Sequence, residues 1–390
     1  MLARLLTIVL VSGLIAAAPA TPSKNPPQNL KRYEGRYYVI NTDLTGDDLR
    51  EADLRMTKMA EEYKKRTEGF SGTIAHKFPF FLFRNIEDYH AAGGMEGTAG
   101  VFDPNTDTLM ALAGDKTSAY TWSVVQHEGF HQFARSVIGG ELPIWVNEGM
   151  AEYFGEGIFT GDGFITGYIP PKRLAHVKEK FEQKKFKPIK EMMLLSHERW
   201  NREMSETNYD QAWTMVQFLA HGENGKYQGA FVKFMRAIAT GQQWDAAWLG
   251  AFGSAEGFEK RWTEYWTRMD EDPTADLYAR AVTETITGVL ARATAQKQKF
   301  DSYDQFLAAV KANEIRIDDR DWLPPRLVVS AFARAAKMQE QGTKFELLPA
   351  QGGRLPMMLC TLADGTKVTG KFTIAQGRVG KVTTESPIRR

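Results

Sequence analysis

At 390 residues, with 43% hydrophobic and 25% charged side chains, the chain is long enough for two or three packed domains and is neither disordered nor fibrous in composition. The 49 lysines and arginines against 48 aspartates and glutamates leave a net charge of +1, and with it no electrostatic case for a nucleic-acid partner. A single cysteine, Cys360, excludes an intrachain disulfide framework, so the fold must stand on its core or on a metal.

Residues 1–20 read as a secretory signal peptide: Arg4 precedes an apolar run over 5–18, and Ala18-Pro19-Ala20 is a small-x-small cleavage signal. An uncleaved membrane anchor is the alternative. The small-residue end and the following Thr21-Pro22 favour cleavage after Ala20, and no nearby cysteine could carry a lipid. The expectation is a secreted or periplasmic protein with no stable membrane association once the signal is removed. Residues 21–32 form a polar, Pro-rich linker.

Folded sequence begins near Tyr33. Strands are expected at 37–40 and 78–83, helices at 47–68 and 86–92, and two short strands at 98–102 and 108–112 around the turn Asp103-Pro104-Asn105. This makes an α+β opening. A helix over 118–138 follows, closed by Gly139-Gly140, and another starts near Pro143 and runs to Phe154. Further helices are expected at 173–181, 210–220, 229–240 and 258–269, the last carrying Trp262 and Trp266 as core residues. Glu271-Asp272-Pro273 marks a boundary, so the folded chain divides into 33–270 and 271–390. The second part holds helices at 275–297 and 325–340, then a small β unit with strands at 345–348, 357–362, 367–372 and 378–382 and a hairpin turn at Asp364-Gly365.

His127-Glu128-Gly129-Phe130-His131 is HExxH within a predicted helix. Histidines four apart point the same way and can grip one metal ion, while Glu128 can lean toward a water on that ion. The alternative is a pair of partly buried, hydrogen-bonded histidines. Glu148 lies seventeen residues after His131, on the next helix, about as far beyond the intervening loop as His131 lies before it. In a helical hairpin such positions face each other, so Glu148 can complete a His₂Glu site with a fourth position for water. Glu152, one turn on, is placed to orient a histidine ligand, or else is an exposed helix residue. Two imidazoles and a carboxylate suit zinc, one ion per chain. Ala134 and Val137 stand where a metzincin needs glycine and a third histidine. His76, His90, His176, His197 and His221 read as surface or satisfied polar residues.

With HEGFH and WVNEGMAEYF together, the sequence resembles the gluzincin metallopeptidases, which combine HExxH with a downstream NEG or NEA segment. It is most similar to exported bacterial proteins with a peptidase-like domain of unknown function, through GVFDP (100–104), HEGFHQF (127–133), LPIWVNEGMAEYF (142–154) and YDQAW (209–213). The resemblance covers about 33–269. It implies a zincin-like catalytic domain: a small mixed sheet with an edge strand, the HExxH helix and a helical second half. It also implies that Glu152 holds a histidine ligand and that Tyr209 is the clan's tyrosine, lying just before a helix. Gly93-Gly94-Met95-Glu96-Gly97 is similar to the GxMEN segment whose glutamate binds a substrate α-amine, but Gly97 replaces the asparagine and the following tryptophan is absent. A glycine-rich loop is the favoured reading of that segment.

The function expected is hydrolysis of a peptide or protein substrate. Zinc polarises the carbonyl, Glu128 is the general base, and Tyr209 donates to the oxyanion. A strand within 98–102 or 108–112 binds substrate backbone at the sheet edge. Tyr209 could instead simply pack beside Trp213. Endopeptidase action is favoured over an aminopeptidase anchored by Glu96; a non-catalytic zinc-containing binding protein is the rival from another class.

Overall fold

The computed structural model describes residues 30–113, 118–203 and 205–386. The signal segment and nearly all of the linker lie outside them. Among the described residues no helix is long and apolar enough to cross a membrane. The chain is mixed α/β and forms two compact units. The first holds the described residues up to Leu49, then Met59–Gly157 and Ile169–Pro273; the second holds Arg50–Lys58, Ile158–Tyr168 and the chain from Thr274 onward.

In the first unit, β1 (Lys31–Glu34) and β2 (Tyr38–Thr42) pair antiparallel, so the sheet starts two residues before the apolar pattern shows it. The long helix α1 (Gly46–Thr67) leads to β3 (Phe78–Phe83), the short α2 (Ile86–Ala91), β4 (Gly100–Asp103) and β5 (Thr108–Leu112). The sheet order is β1-β2-β3-β5-β4. β3 runs parallel to β2 and β5, and its FPFFLF sequence, buried at alternate positions or better, suits a strand with neighbours on both sides. β4 is antiparallel to β5 and is an edge strand, as β1 is at the other side; of the two candidate strands, β5 is internal.

Ser118 caps α3 (Ala119–Phe133), its side chain accepting from Thr121 N–H. α3 is buried on every side from Val124 on, as a helix at the centre of a unit must be. The single helix expected to Ile138 ends instead at Phe133. The last stretch, Ala134–Ile138, is a π-helix, and Gly139 and Gly140, both at positive φ, stop it. Gln132 fastens α3 to the sheet by donating to Pro79 O at 3.0 Å and Asp107 O at 2.8 Å. After the loop comes α4 (Ile144–Gly155), tied back to α3 by Gln126 Nε2, which donates to Phe154 O, Gly155 O and Gly157 O at 2.9–3.2 Å.

The rest of this unit is helical: α5 (Pro171–Glu182), α6 (Ile189–Met193), α7 (His197–Glu203), α8 (Glu206–Gly225), α9 (Gln228–Ala239), α10 (Trp244–Phe252) and α11 (Ala255–Thr267). Trp262 and Trp266 are fully buried in it. α8 begins four residues earlier than its apolar pattern, so Tyr209 lies inside the helix rather than ahead of it. α8 packs on α4 through a close backbone approach. A Cβ on Gly149 would come within 2.4 Å of Ala212 O.

In the second unit, β6 (Ile158–Phe159) and β7 (Phe164–Ile165) form a two-stranded ribbon. α12 (Ala275–Ala295) is buried along most of its length. It packs against an antiparallel sheet of β8 (Lys344–Leu348), β9 (Met357–Thr361), β10 (Lys367–Ala375) and β11 (Arg378–Glu385), in the order β11-β10-β9-β8. With α13 (Tyr303–Lys311) and α14 (Pro325–Glu340), these surround a core of Ile286, Leu290, Phe306, Phe332, Phe345, Met358 and Cys360.

The α4–α8 approach sets a test. Gly149→Ala places a methyl against backbone that cannot rotate away and should destabilise the protein by about 1–3 kcal/mol. Gly257→Ala on α11 opens onto free space, so its unfolding midpoint should stay close to wild type. Denaturant unfolding of both variants measures the difference.

Candidate metal centre

Three side chains converge where α3 and α4 face each other. His127 and His131 project from one side of α3, and Glu148 meets them from α4. His127 Nε2 and His131 Nε2 are 3.1 Å apart, and Glu148 Oε2 is 3.4 Å from the first and 3.5 Å from the second. A tetrahedral ion with bonds of about 2.0–2.1 Å holds its ligand atoms about 3.3–3.4 Å apart. The triangle therefore has the size that such an ion requires. All three residues are buried, and Glu148 Oε2 has no hydrogen-bond partner among the described residues. A buried carboxylate oxygen without a donor is costly unless a cation meets it.

The tautomer fits as well. His127 Nδ1 lies 3.1 Å from Glu152 Oε1, so the ring donates there and turns the lone pair of Nε2 into the triangle. Glu152 is thus a buried partner of His127, not an exposed helix residue. Its other oxygen, Oε2, accepts from Arg173 Nη2 at 2.6 Å.

The electrostatics point to the same need. Burial disfavours a charged His127, but the Glu148 and Glu152 carboxylates beside it outweigh that and push the imidazole up to about 10. Burial works against an ionised Glu148 too, yet the two histidines pull it down to about 2. Glu152 is likewise drawn to about 2, against burial, by Arg173 and His127. Without a metal, the site holds a proton in the place of a cation.

Glu128 is buried beside the triangle, and burial raises its carboxyl above the usual range despite the two histidines. Its Oε2 accepts the backbone N–H of Phe102 at 3.0 Å. Phe102 is on the edge strand β4. Its N–H points away from β5, as the alternation of an antiparallel ladder requires next to the Leu112 N–H to Ala99 O bond at 2.9 Å. One outward group of the edge strand is therefore already engaged with Glu128. Gly129 allows the crowding behind the motif, since a Cβ there would lie 2.8 Å from Met59 Cε and 3.2 Å from Tyr63 Oη.

Tyr209 is buried on α8 with its ring centroid 6.4 Å from that of His127 and edge-on to Trp200 at 5.1 Å. Trp213, one turn on, packs at a tilt against Trp266 and lies under Arg173. Glu96 is exposed in the turn between α2 and β4, and no hydrogen bond or ion pair links it to the triangle among the described residues. Gly94 of that turn sits over the Tyr89 ring, where a Cβ would come within 2.4 Å, so packing alone accounts for a glycine there. His221 stacks on Tyr153, and its Nε2 lies 2.9 Å from the Tyr153 hydroxyl; burial lowers it to about 4 and keeps it neutral.

Sequence reasoning missed Arg173, Asp210 and Lys180. The Arg173 guanidinium also donates to Glu156 Oε1 at 2.7 Å and, through Nε, to Asp210 Oδ1 at 3.1 Å, while Lys180 Nζ reaches Asp210 Oδ2 at 2.5 Å. Nothing local in the sequence marks Arg173, which follows Pro170-Pro171 at the start of α5.

A family model described as a protein of unknown function (DUF1570) matches residues 121–244. That stretch begins within α3 and ends at the start of α10, and it contains His127, Glu128, His131, Glu148, Glu152, Arg173 and Tyr209. No curated protein matches the chain.

A metal ion at this site would compete with the proton. In the metal-free protein, the raised His127 contributes stability that is complete below the ordinary histidine range and lost as pH rises toward 10. The depressed Glu148 contributes stability that is complete above the ordinary carboxylate range and lost as pH falls toward 2. A bound cation replaces the proton, so the rise in Tm on adding buffered Zn²⁺ should be larger near pH 8 than near pH 6. His131→Ala should abolish that rise at both pH values. Calorimetry with and without metal reads both results.

Proposed function

We propose that the protein is an exported zinc-dependent peptidase of the gluzincin type, cleaving internal peptide bonds. The observation that carries this reading is Glu128. It is a buried carboxylate beside a three-ligand triangle, pinned by an edge-strand N–H. A structural metal site needs no such group, and structural zinc is normally closed by four protein ligands. The sequence likeness to gluzincins and the signal-like residues 1–20 support the family and the export.

A zinc ion held by His127, His131 and Glu148 would supply Lewis acidity, polarising a carbonyl and making a water acidic near neutral pH. The protein's own groups do the rest. With Oε2 committed to Phe102 N–H, Glu128 offers Oε1 to take a proton from the attacking water and pass it to the leaving nitrogen. The raised pKa of Glu128 brings it nearer to that task than an exposed glutamate would be. Tyr209, beside His127, is the candidate to donate its phenolic proton to the developing oxyanion. Substrate backbone would lie along β4, using the outward groups that Glu128 leaves available.

Two variants and one substrate comparison test the proposal. Glu128→Gln should keep metal and fold but lose about 10²–10⁴ in rate, because an amide cannot accept the proton. Tyr209→Phe should lower kcat by about 10²–10³ with KM and metal content unchanged. In a mixed peptide library read by mass spectrometry, N-acetylated peptides should be cut internally, and Glu96→Ala should behave like wild type. Wild-type cleavage rates in Glu128→Gln would remove the peptidase reading.

A further inference from the structure

The residue that holds the metal site from behind is Arg173. Its guanidinium reaches two helices at once. Nη2 donates to Glu152 Oε2 at 2.6 Å on α4 and Nη1 to Glu156 Oε1 at 2.7 Å just past the end of α4, and Nε donates to Asp210 Oδ1 at 3.1 Å on α8. Its Cζ lies 4.2 Å over the Trp213 ring, which fixes the plane of the fork. The side chain is 14% exposed. A cation this buried, matched to three carboxylates and stacked on an indole, has one available orientation.

That orientation determines what Glu152 can do. A guanidinium only donates, so Glu152 Oε2 accepts from it. Oε1 is then left for His127 Nδ1 at 3.1 Å, and the ring donates its proton there. His127 Nε2 consequently keeps its lone pair for the triangle. Were Glu152 free to turn or to carry a proton, the imidazole could adopt the other tautomer and present N–H to the site, which cannot bind a metal.

We infer that Arg173 is a positioning residue for the metal centre, fixing the His127 ring and its tautomer through Glu152. The inference rests on the His127–His131–Glu148 triangle being a metal site, as the proposed function requires, but not on peptide cleavage. The neighbouring contacts separate this role from simple packing. Glu156 shares the same guanidinium but touches no ligand of the triangle among the described residues, so it provides an internal control.

The test is zinc affinity of the full mature chain, measured by competition with a chromogenic chelator, together with the visible spectrum of the Co²⁺-loaded protein. Glu152→Gln should weaken zinc by about 10–100-fold, the usual effect of losing such a partner. Arg173→Met removes the guanidinium charge facing Glu152 and Glu156 and puts the fold at risk, so Arg173→Lys is the working variant. It keeps the charge and loses the planar fork, and it should weaken zinc about tenfold and shift the Co²⁺ bands. The double variant Glu152→Gln/Arg173→Lys should be no weaker than Glu152→Gln alone, since Arg173 acts through Glu152. Glu156→Gln should bind zinc as wild type does, whatever it does to Tm. A folded Arg173→Lys protein with wild-type affinity and an unshifted Co²⁺ spectrum would overturn the inference, as would additive losses in the double variant. A wild-type chain that binds no zinc would remove both this inference and the peptidase. Zinc binding with these losses but no cleavage of any peptide would remove only the peptidase.

Discussion

Three unshared lone pairs crowd one buried point. The nitrogens of His127 and His131 and an oxygen of Glu148 lie within 3.5 Å of one another, and no hydrogen bond from the described residues satisfies the Glu148 oxygen. Such a cluster repels itself unless a positive charge enters it, as a proton or as an ion. Much of the first unit can be understood as what keeps these atoms together. α3 is anchored to the sheet by Gln132 and to the end of α4 by Gln126, and the loop between the helices is tight because Gly139 and Gly140 take backbone conformations open to few other residues.

The surrounding charges extend this arrangement outward. Glu128, Glu148, Glu152, Glu156 and Asp210 are five carboxylates, answered by two side-chain cations, Arg173 and Lys180. The imbalance lies at the triangle, where a divalent cation would relieve it. Farther out, Arg173 and Lys180 between them put a cation within hydrogen-bonding distance of Glu152, Glu156 and Asp210, which is the condition for burying such groups at tolerable cost. His127 is the link between the two regions. One ring nitrogen faces the triangle and the other faces Glu152 and, behind it, Arg173.

Close backbone approach is the second constraint. Gly149 lets α8 lie against α4, and this brings Tyr209 beside His127. Gly129 does the same for α3 against the side chains of Met59 and Tyr63. The glycines inside the two motifs therefore have steric reasons that are separate from chemistry. In the second unit, α12 is covered by its own sheet and helices, with a core continuous from Ile286 to Phe372.

The three residues of the triangle were legible because their signal is local. A helical repeat of four residues fixes the relation of His127 to His131, and a short hairpin between amphipathic or buried helices fixes that of His131 to Glu148. The strands and most helices were legible for the same reason, since alternation and 3.6-residue periodicity act over a few neighbours; β5 and α14 have the bounds their patterns indicate. Ends were less so. Nothing in ARSVI distinguishes a final α turn from the π-helix at Ala134–Ile138, and Tyr209 lies inside α8 because the helix starts at Glu206, ahead of the apolar residues that mark its period. What only the tertiary structure decided are relations between distant segments: that β4 and not β5 is the sheet edge, that the Phe102 N–H is the partner of Glu128, and that Arg173 and Asp210, twenty-one and fifty-eight residues beyond Glu152, meet around it. Those contacts depend on strand order and helix packing, which are set by the whole core rather than by any one stretch of chain.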